Sequence, residues 1–102
     1  MVEDVNPDLF FNKANFVVFT MLADHPEGLT LRELHVRHQV PNAEVDYAVV
    51  VLQRAGAVFR TYPGDCESKY YAREGGVDAF TRFTIYVEEW RNQRRRRGDE
   101  RG

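Results

Sequence analysis

A mainly α-helical domain with one small β-hairpin is the fold class this chain predicts, and three observations predict it. Two short helical patterns meet at a tight junction between residues 29 and 56. Two strand-like runs follow, around the turn Pro63-Gly64-Asp65. A helix-spaced apolar stripe flanks this unit on each side. At 102 residues with 43% hydrophobic side chains, the chain has the length of one domain and enough apolar surface for a small core.

Each element has its own local signal. Asn6-Pro7 reads as a helix start, with Asn6 as N-cap, Pro7 at the first helical position and Asp8 near the positive helix end. The following run places Phe10, Ala14, Val17 and Met21 on one face. Leu9, Phe16, Phe19 and Leu22 widen that face, so this reads as a central core helix, and the surplus of phenylalanine suggests a further contact. His25-Pro26-Glu27-Gly28 ends it. Leu29 is expected to form a one- or two-residue strand that closes the later hairpin into a small sheet. Thr30 with Glu33 makes a capping box. The helix it opens turns Leu31 and Leu34 inward and is expected to end near Gln39-Val40.

Pro41-Asn42 starts the next helix, whose Val45, Ala48, Val49 and Leu52 make an inward stripe. Gly56 suits a left-handed cap at its end. Residues 58–62 and 69–72 are rich in β-branched and aromatic side chains and flank Pro63-Gly64-Asp65, so they predict a hairpin. Gly75-Gly76 is expected to break the chain. A last helix from Val77 to about Arg95 then carries Phe80, Phe83, Val87 and Trp90 at spacings of 3, 4 and 3. That stripe packs either on a second copy, the preferred reading, or back on the first helix of its own chain.

Charge divides the sequence into an acidic body and a basic end. Residues 1–90 hold 8 Lys and Arg against 14 Asp and Glu, a balance of −6; residues 91–102 hold 6 Arg against 2 acids, a balance of +4. We therefore read 1–90 as the folded domain and 91–102 as an arginine-rich tail. A generic DNA-binding domain has a basic body, which this one does not. The single cysteine, Cys66, excludes an intrachain disulfide and fits a reducing compartment. No apolar run approaches the roughly 20 residues of a membrane span, and no signal-peptide pattern is visible. A cytoplasmic protein with no membrane contact is expected.

Thr30-Leu31-Arg32-Glu33-Leu34, Val40, Val45, the run from Leu52 to Val58, and Tyr70-Tyr71-Ala72 resemble the winged helix-turn-helix superfamily of prokaryotic regulators, of the broad MarR, ArsR and PadR kind. The likeness covers about residues 16–73, with a helix at either end where such dimers often pair. It implies that Asn42–Arg54 is a recognition helix for the major groove and that residues 60–69 form a wing beside it. Carried over by position, Asn42, Ala43, Glu44, Asp46, Tyr47, Val50 and Gln53 face outward. Asn42 and Gln53 would hydrogen-bond adenine edges, Tyr47 would touch a phosphate, and Arg54 closes the same helix. Glu44 and Asp46 oppose this role, because carboxylates near a polyanion are repelled. Val50 and Val51 add apolar surface that a groove-facing helix rarely needs. His35 and His38 depart from the usual pattern. They are read either as partly buried, hydrogen-bonded residues or as a pH-responsive pair.

Arg60, Lys69 and Arg73, with Tyr62, are the best candidates for phosphate contact on the body, the alternative being ordinary solvated strand residues. Arg91 and Arg94, Arg95, Arg96 and Arg97 would complement the last helix's negative end, bind nucleic acid nonspecifically, or solubilise the terminus. No metal or other cofactor is expected: His25, His35, His38 and Cys66 fall short of a soft-metal set. The acids beside Cys66 disfavour a reactive thiolate. There is no Gly-rich phosphate loop, nucleophile elbow or HExxH, so the chain does not read as an enzyme.

The sequence thus predicts a homodimeric winged-helix protein that binds double-stranded DNA as a transcriptional regulator, with Phe10, Phe80, Phe83, Val87 and Trp90 at the dimer interface. The alternative is a winged helix turned to protein contact, in which Glu44, Asp46, Tyr47 and Val50 meet a protein partner.

Overall fold

Asn6 accepts a hydrogen bond from the Asp8 amide at 3.0 Å and opens a 3-10 turn over Pro7–Phe11. The computed structural model describes residues 5–36, 40–62 and 67–101, with side chains through Arg95. The continuous first helix expected from the sequence is interrupted. Asn12 adopts an extended conformation and caps a separate helix, α1 (Lys13–Asp24), by accepting from the Asn15 amide at 3.2 Å. This interruption shifts the helical phase. Val18, Phe19 and Leu22 are fully buried, whereas Val17 and Met21, placed inward by the uninterrupted pattern, are only half-buried. In the turn after α1, a backbone hydrogen bond and the His25 ring, 2.8 Å away, hold the Glu27 carboxyl below its ordinary range.

β1 (Leu29–Thr30) leads directly into α2 (Leu31–Val36), and the capping box forms as predicted. Glu33 accepts from the Thr30 amide at 3.0 Å, while the Thr30 hydroxyl accepts from the Glu33 amide at 3.1 Å. Residues 37–39, where the sequence predicted this helix to end, lie outside the described residues, as do His38 and the turn 63–66 with Cys66. α3 (Asn42–Arg54) buries the four predicted residues, Val45, Ala48, Val49 and Leu52. Gly56, at φ +82°, takes the left-handed conformation that ends it. β2 (Val58–Thr61) and β3 (Lys69–Ala72) make the hairpin, and β1 pairs with β3, giving a three-stranded antiparallel sheet in the order β1-β3-β2.

The last helix, α4 (Glu74–Arg101), begins three residues before the predicted start and runs through Gly75-Gly76. Gly76 is there for closeness rather than for a break. A Cβ on Gly76 would lie 2.5 Å from the Ala57 carbonyl oxygen and 2.9 Å from both Ala57 Cα and Phe19 Cε2. The helix start is thus pressed onto the end of the α3 turn, where Arg73 also donates its amide to Ala57 O at 2.8 Å.

Six of the seven phenylalanines then meet around the 3-10 turn. Phe10 lies 5.1 Å from the ring centres of both Phe19 and Phe80, Phe16 lies 5.3 Å from Phe80, and Phe11 packs edge-on to Phe83 at 5.0 Å. This corrects one sequence assignment. Phe10, expected at a subunit surface, is 2% exposed within a single chain. Phe80 and Phe83 likewise pack on their own chain's first elements. From Glu88 to Arg95, by contrast, every residue of α4 is exposed. Among the described residues no helix is long and apolar enough to cross a membrane.

Gly76→Ala is expected to destabilise the fold by about 2 kcal/mol through overpacking. Gly75→Ala, whose nearest neighbour would be Val5 at 3.7 Å, should be neutral or stabilising by up to about 1 kcal/mol from helix propensity. Urea denaturation of the two variants checks the contrast.

Candidate nucleic-acid interface

With Val45, Ala48, Val49 and Leu52 buried, a helical turn of about 100° per residue sets the opposite face of α3. Ala43, Tyr47, Val50 and Arg54 form its outermost line, all exposed, Tyr47 at 70% and Val50 at 44%. Asn42, Asp46 and Gln53 lie on one flank and are also exposed. Glu44 lies on the other, beside a groove of about 520 Å³ that it shares with Asn12, Lys13, Asn15 and Tyr47. The outward set read from the sequence is therefore outward in the fold. Val51 is half-buried and adds little to this surface.

One expectation changes. Asp46 is not an uncompensated carboxylate: its Oδ1 lies 2.6 Å from Nε2 of His35 on α2. The imidazole is mostly sheltered, at 24% side-chain exposure, and the carboxylate is half open, at 53%. Sequence reading anticipated a hydrogen-bonded His35 but not its partner, because the two lie 11 positions apart and only the packing of α2 on α3 brings them together.

The wing divides the other candidate cations between two faces. Arg60 pairs across the hairpin with Tyr70. Its guanidinium lies 4.6 Å from the Tyr62 ring centre and 5.8 Å from that of Tyr70, a stacked arrangement that orders a long side chain. It borders a groove of about 380 Å³ between sheet and α2, lined also by Arg32, His35, Glu67 and Ser68. Arg73 sits over Phe59 at 5.6 Å, on the opposite sheet face, where Phe59 stacks on Tyr71 at 5.0 Å. By strand alternation Lys69 belongs to that outer face too, and it is half-buried. The structure thus brings Arg60 toward the helices and holds Lys69 and Arg73 apart from it. The Tyr62–Arg60–Tyr70 arrangement was within reach of the sequence, since the hairpin register sets Arg60 opposite Tyr70.

The basic end continues α4. Arg91, Arg94 and Arg95 are exposed, and Arg94 lies 4.9 Å from the Trp90 ring centre. The side chains of Arg96 and Arg97 lie outside the described residues. Phe11, Phe83, Tyr86, Val87 and Trp90 border an open groove of about 360 Å³ near the base of this segment. Among the described residues no group of three His, Cys, Asp or Glu is placed to hold a metal ion.

This element order, with one helix exposed along its outer line and a hairpin beside it, matches known solved structures. The S. aureus MepR–DNA complex superposes with a TM-score of 0.67 at 15% identity, over 90% of this chain and 77% of that one. The fold is a winged helix-turn-helix. A MepR mutant from S. aureus gives a TM-score of 0.68 at 16% identity, covering 80% of this chain and 62% of its own, so the present chain spans less than two thirds of it. An ArsR-like transcriptional regulator from Rhodococcus sp. RHA1 gives 0.62 at 16% identity, over 91% of this chain and 85% of that one. No protein-family model and no curated protein matches the sequence.

The outer line of the winged helix's α3 carries no packing role. Tyr47→Ala and Val50→Ala should leave stability within about 0.5 kcal/mol. Val45→Ala, at a fully buried position, should cost about 2 kcal/mol. Thermal melting of the three variants measures the difference.

Proposed function

We propose that this chain is a winged-helix DNA-binding protein that acts as a homodimeric transcriptional regulator. The observation that carries the reading is the bare outer line of α3, with Asn42 and Gln53 on its flank, together with an Arg60 that is ordered on aromatic rings and borders the groove against α2. A helix in this position fits the major groove, and a stacked guanidinium suits the adjacent phosphates. Similarity of fold to a structure described as a MepR–DNA complex supports the same reading. Arg91, Arg94 and Arg95 on the projecting part of α4, with Arg96 and Arg97 beyond them, would add salt-sensitive, sequence-independent affinity.

The dimer is argued from α4. Its residues Glu88–Arg95 are exposed throughout, and Trp90 remains 49% exposed. A second copy seated on Phe11, Tyr86, Val87 and Trp90 would cover this surface. It would also set two α3 helices about one DNA turn apart. Phe10, Phe80 and Phe83 would then support the interface from behind rather than form it. A second reading has its own observation: the exposed Tyr47 and Val50 next to Glu44 and Asp46 would suit a protein partner with basic and apolar surface.

Fluorescence anisotropy on a mixed-sequence duplex, at about 50 and 200 mM salt, tests these readings. The full chain should bind at the lower salt, and Arg60→Ala should weaken binding by roughly tenfold, as expected for one lost charge-assisted contact. A truncation after Asn92 should still bind, with a shallower salt dependence. If only the full chain binds, the arginine segment alone contacts DNA; if neither binds, the protein-partner reading takes over. Glu44→Arg separates the two: tighter DNA binding with undiminished regulation in cells counts against a partner at this face. In sedimentation, Tyr86→Glu with Trp90→Glu should convert a dimer to monomer without lowering the melting temperature.

A further inference from the structure

An acidic recognition helix needs its carboxylates dealt with before it can approach a polyanion. α2 and α3 together carry Arg32 and Arg54 against Glu33, Glu44 and Asp46, a balance of −1 with histidine neutral. Glu33 is occupied in the capping box, and Glu44 lies on the flank facing α1. Asp46 is the carboxylate on the flank facing α2, and it is the one in contact with a titratable base, His35, at 2.6 Å.

We propose that His35 and Asp46 form a charge-compensating pair that sets the affinity of this face for DNA and makes that affinity fall as pH rises. The inference rests on the DNA-binding reading above. Protonated His35 donates from Nε2 to the Asp46 carboxylate, and the pair is neutral. Loss of the imidazole proton at higher pH removes the positive member of the pair. With Nε2–H retained, the hydrogen bond persists, but Asp46 then presents an uncancelled negative charge on the α3 flank. The geometry is the same in both states; only the charge differs, by one unit. Exposure of Asp46 lets that charge act on a phosphate backbone, while the sheltered position of His35 keeps the pair together.

Among the described residues, the charged and titratable groups around His35 fall on three elements, and on its own helix Glu33 also takes part in the capping box. On its own helix, Arg32 points to Glu67 at 3.9 Å. From the sheet side, Arg60 and Tyr70 line the shared groove, and Glu67 lies at its end. From α3 the facing group is Asp46. The guanidinium groups of Arg60 and Arg32 supply a constant attraction against which the His35–Asp46 pair varies.

The test is anisotropy of a labelled mixed-sequence duplex at about 50 mM salt from about pH 5.5 to about pH 8.5. It uses the full chain, His35→Gln, His35→Lys and Asp46→Asn. The unaltered protein should lose roughly fivefold in affinity across the range, the effect of one surface charge near phosphates at low salt. His35→Gln keeps a donor but cannot titrate there, so it should give a nearly flat profile at the weak, high-pH level. His35→Lys stays charged and should hold the tight level throughout, which a purely structural role for the histidine would not produce. Asp46→Asn should bind tighter than the unaltered protein at the highest pH. Contributions from His25 and His38 appear in all four proteins and cancel in the comparison. A His35→Gln profile as steep as the unaltered one overturns the inference while leaving the DNA reading in place. Absence of binding by every protein at every pH overturns the DNA reading and this inference with it. Melting curves at both pH limits check that each variant is folded.

Discussion

The contact between Gly76 and the Ala57 backbone is the constraint on which the rest of this fold depends. It fixes the start of α4 against the end of α3 and the side of Phe19, at a separation no side chain could tolerate. From that point the helix direction is set, and Phe80 and Phe83 fall onto Phe10, Phe16 and Phe19. The 3-10 turn supplies Phe10 to the centre of this cluster because Asn12 stops the turn from merging into α1. A uniform helix would have put these rings on a different phase. Edge-to-face and tilted ring pairs of this kind add to the area they bury, so among the described residues the terminal elements are held by ring packing.

Because that cluster anchors the ends of the chain, α3 has to bury only one face. Its inner stripe packs on α1, α2 and the sheet, and its outer line is left to whatever meets the protein. The same separation applies to the wing. One sheet face turns Arg60 toward the helices, the other carries the Phe59–Tyr71 stack and Arg73. Cations that look clustered in sequence are therefore divided by a backbone period of two, and Arg60 alone among them is presented next to α2.

The charge pattern follows the same logic. The acidic body is no simple obstacle to a polyanion, since Glu33 caps a helix and Asp46 is bound to His35. The basic excess lies on the projecting half of α4, away from the packed cluster. There Arg94 rests on Trp90, and Arg91 and Arg95 are open to solvent. Because the first half of α4 is a core element and its residues 88–95 are exposed, the proposed dimer is centred on Tyr86 and Trp90 rather than on Phe10.

Local signals in the sequence determined most of the architecture. The capping box at Thr30 and Glu33, the stripe of α3, the cap at Gly56 and the hairpin strands carry signals within a few residues, so pattern and propensity suffice to read them, whereas the short strand at Leu29 needs Tyr70 as its distant partner. The outward face of α3 was legible for the same reason, as the complement of its inward stripe. Tertiary structure alone decided what depends on distant parts of the chain. The break at Asn12 outweighed a persuasive helical period. Gly75-Gly76 read as a breaker, since nothing local tells a flexible glycine from one needed for close approach to a distant backbone. Phe10 and Phe80 read as subunit contacts until the fold closed around them. The His35–Asp46 pair joins two helices across a segment whose path no periodicity specifies, and it exists because packing, not sequence spacing, sets which side chains become neighbours.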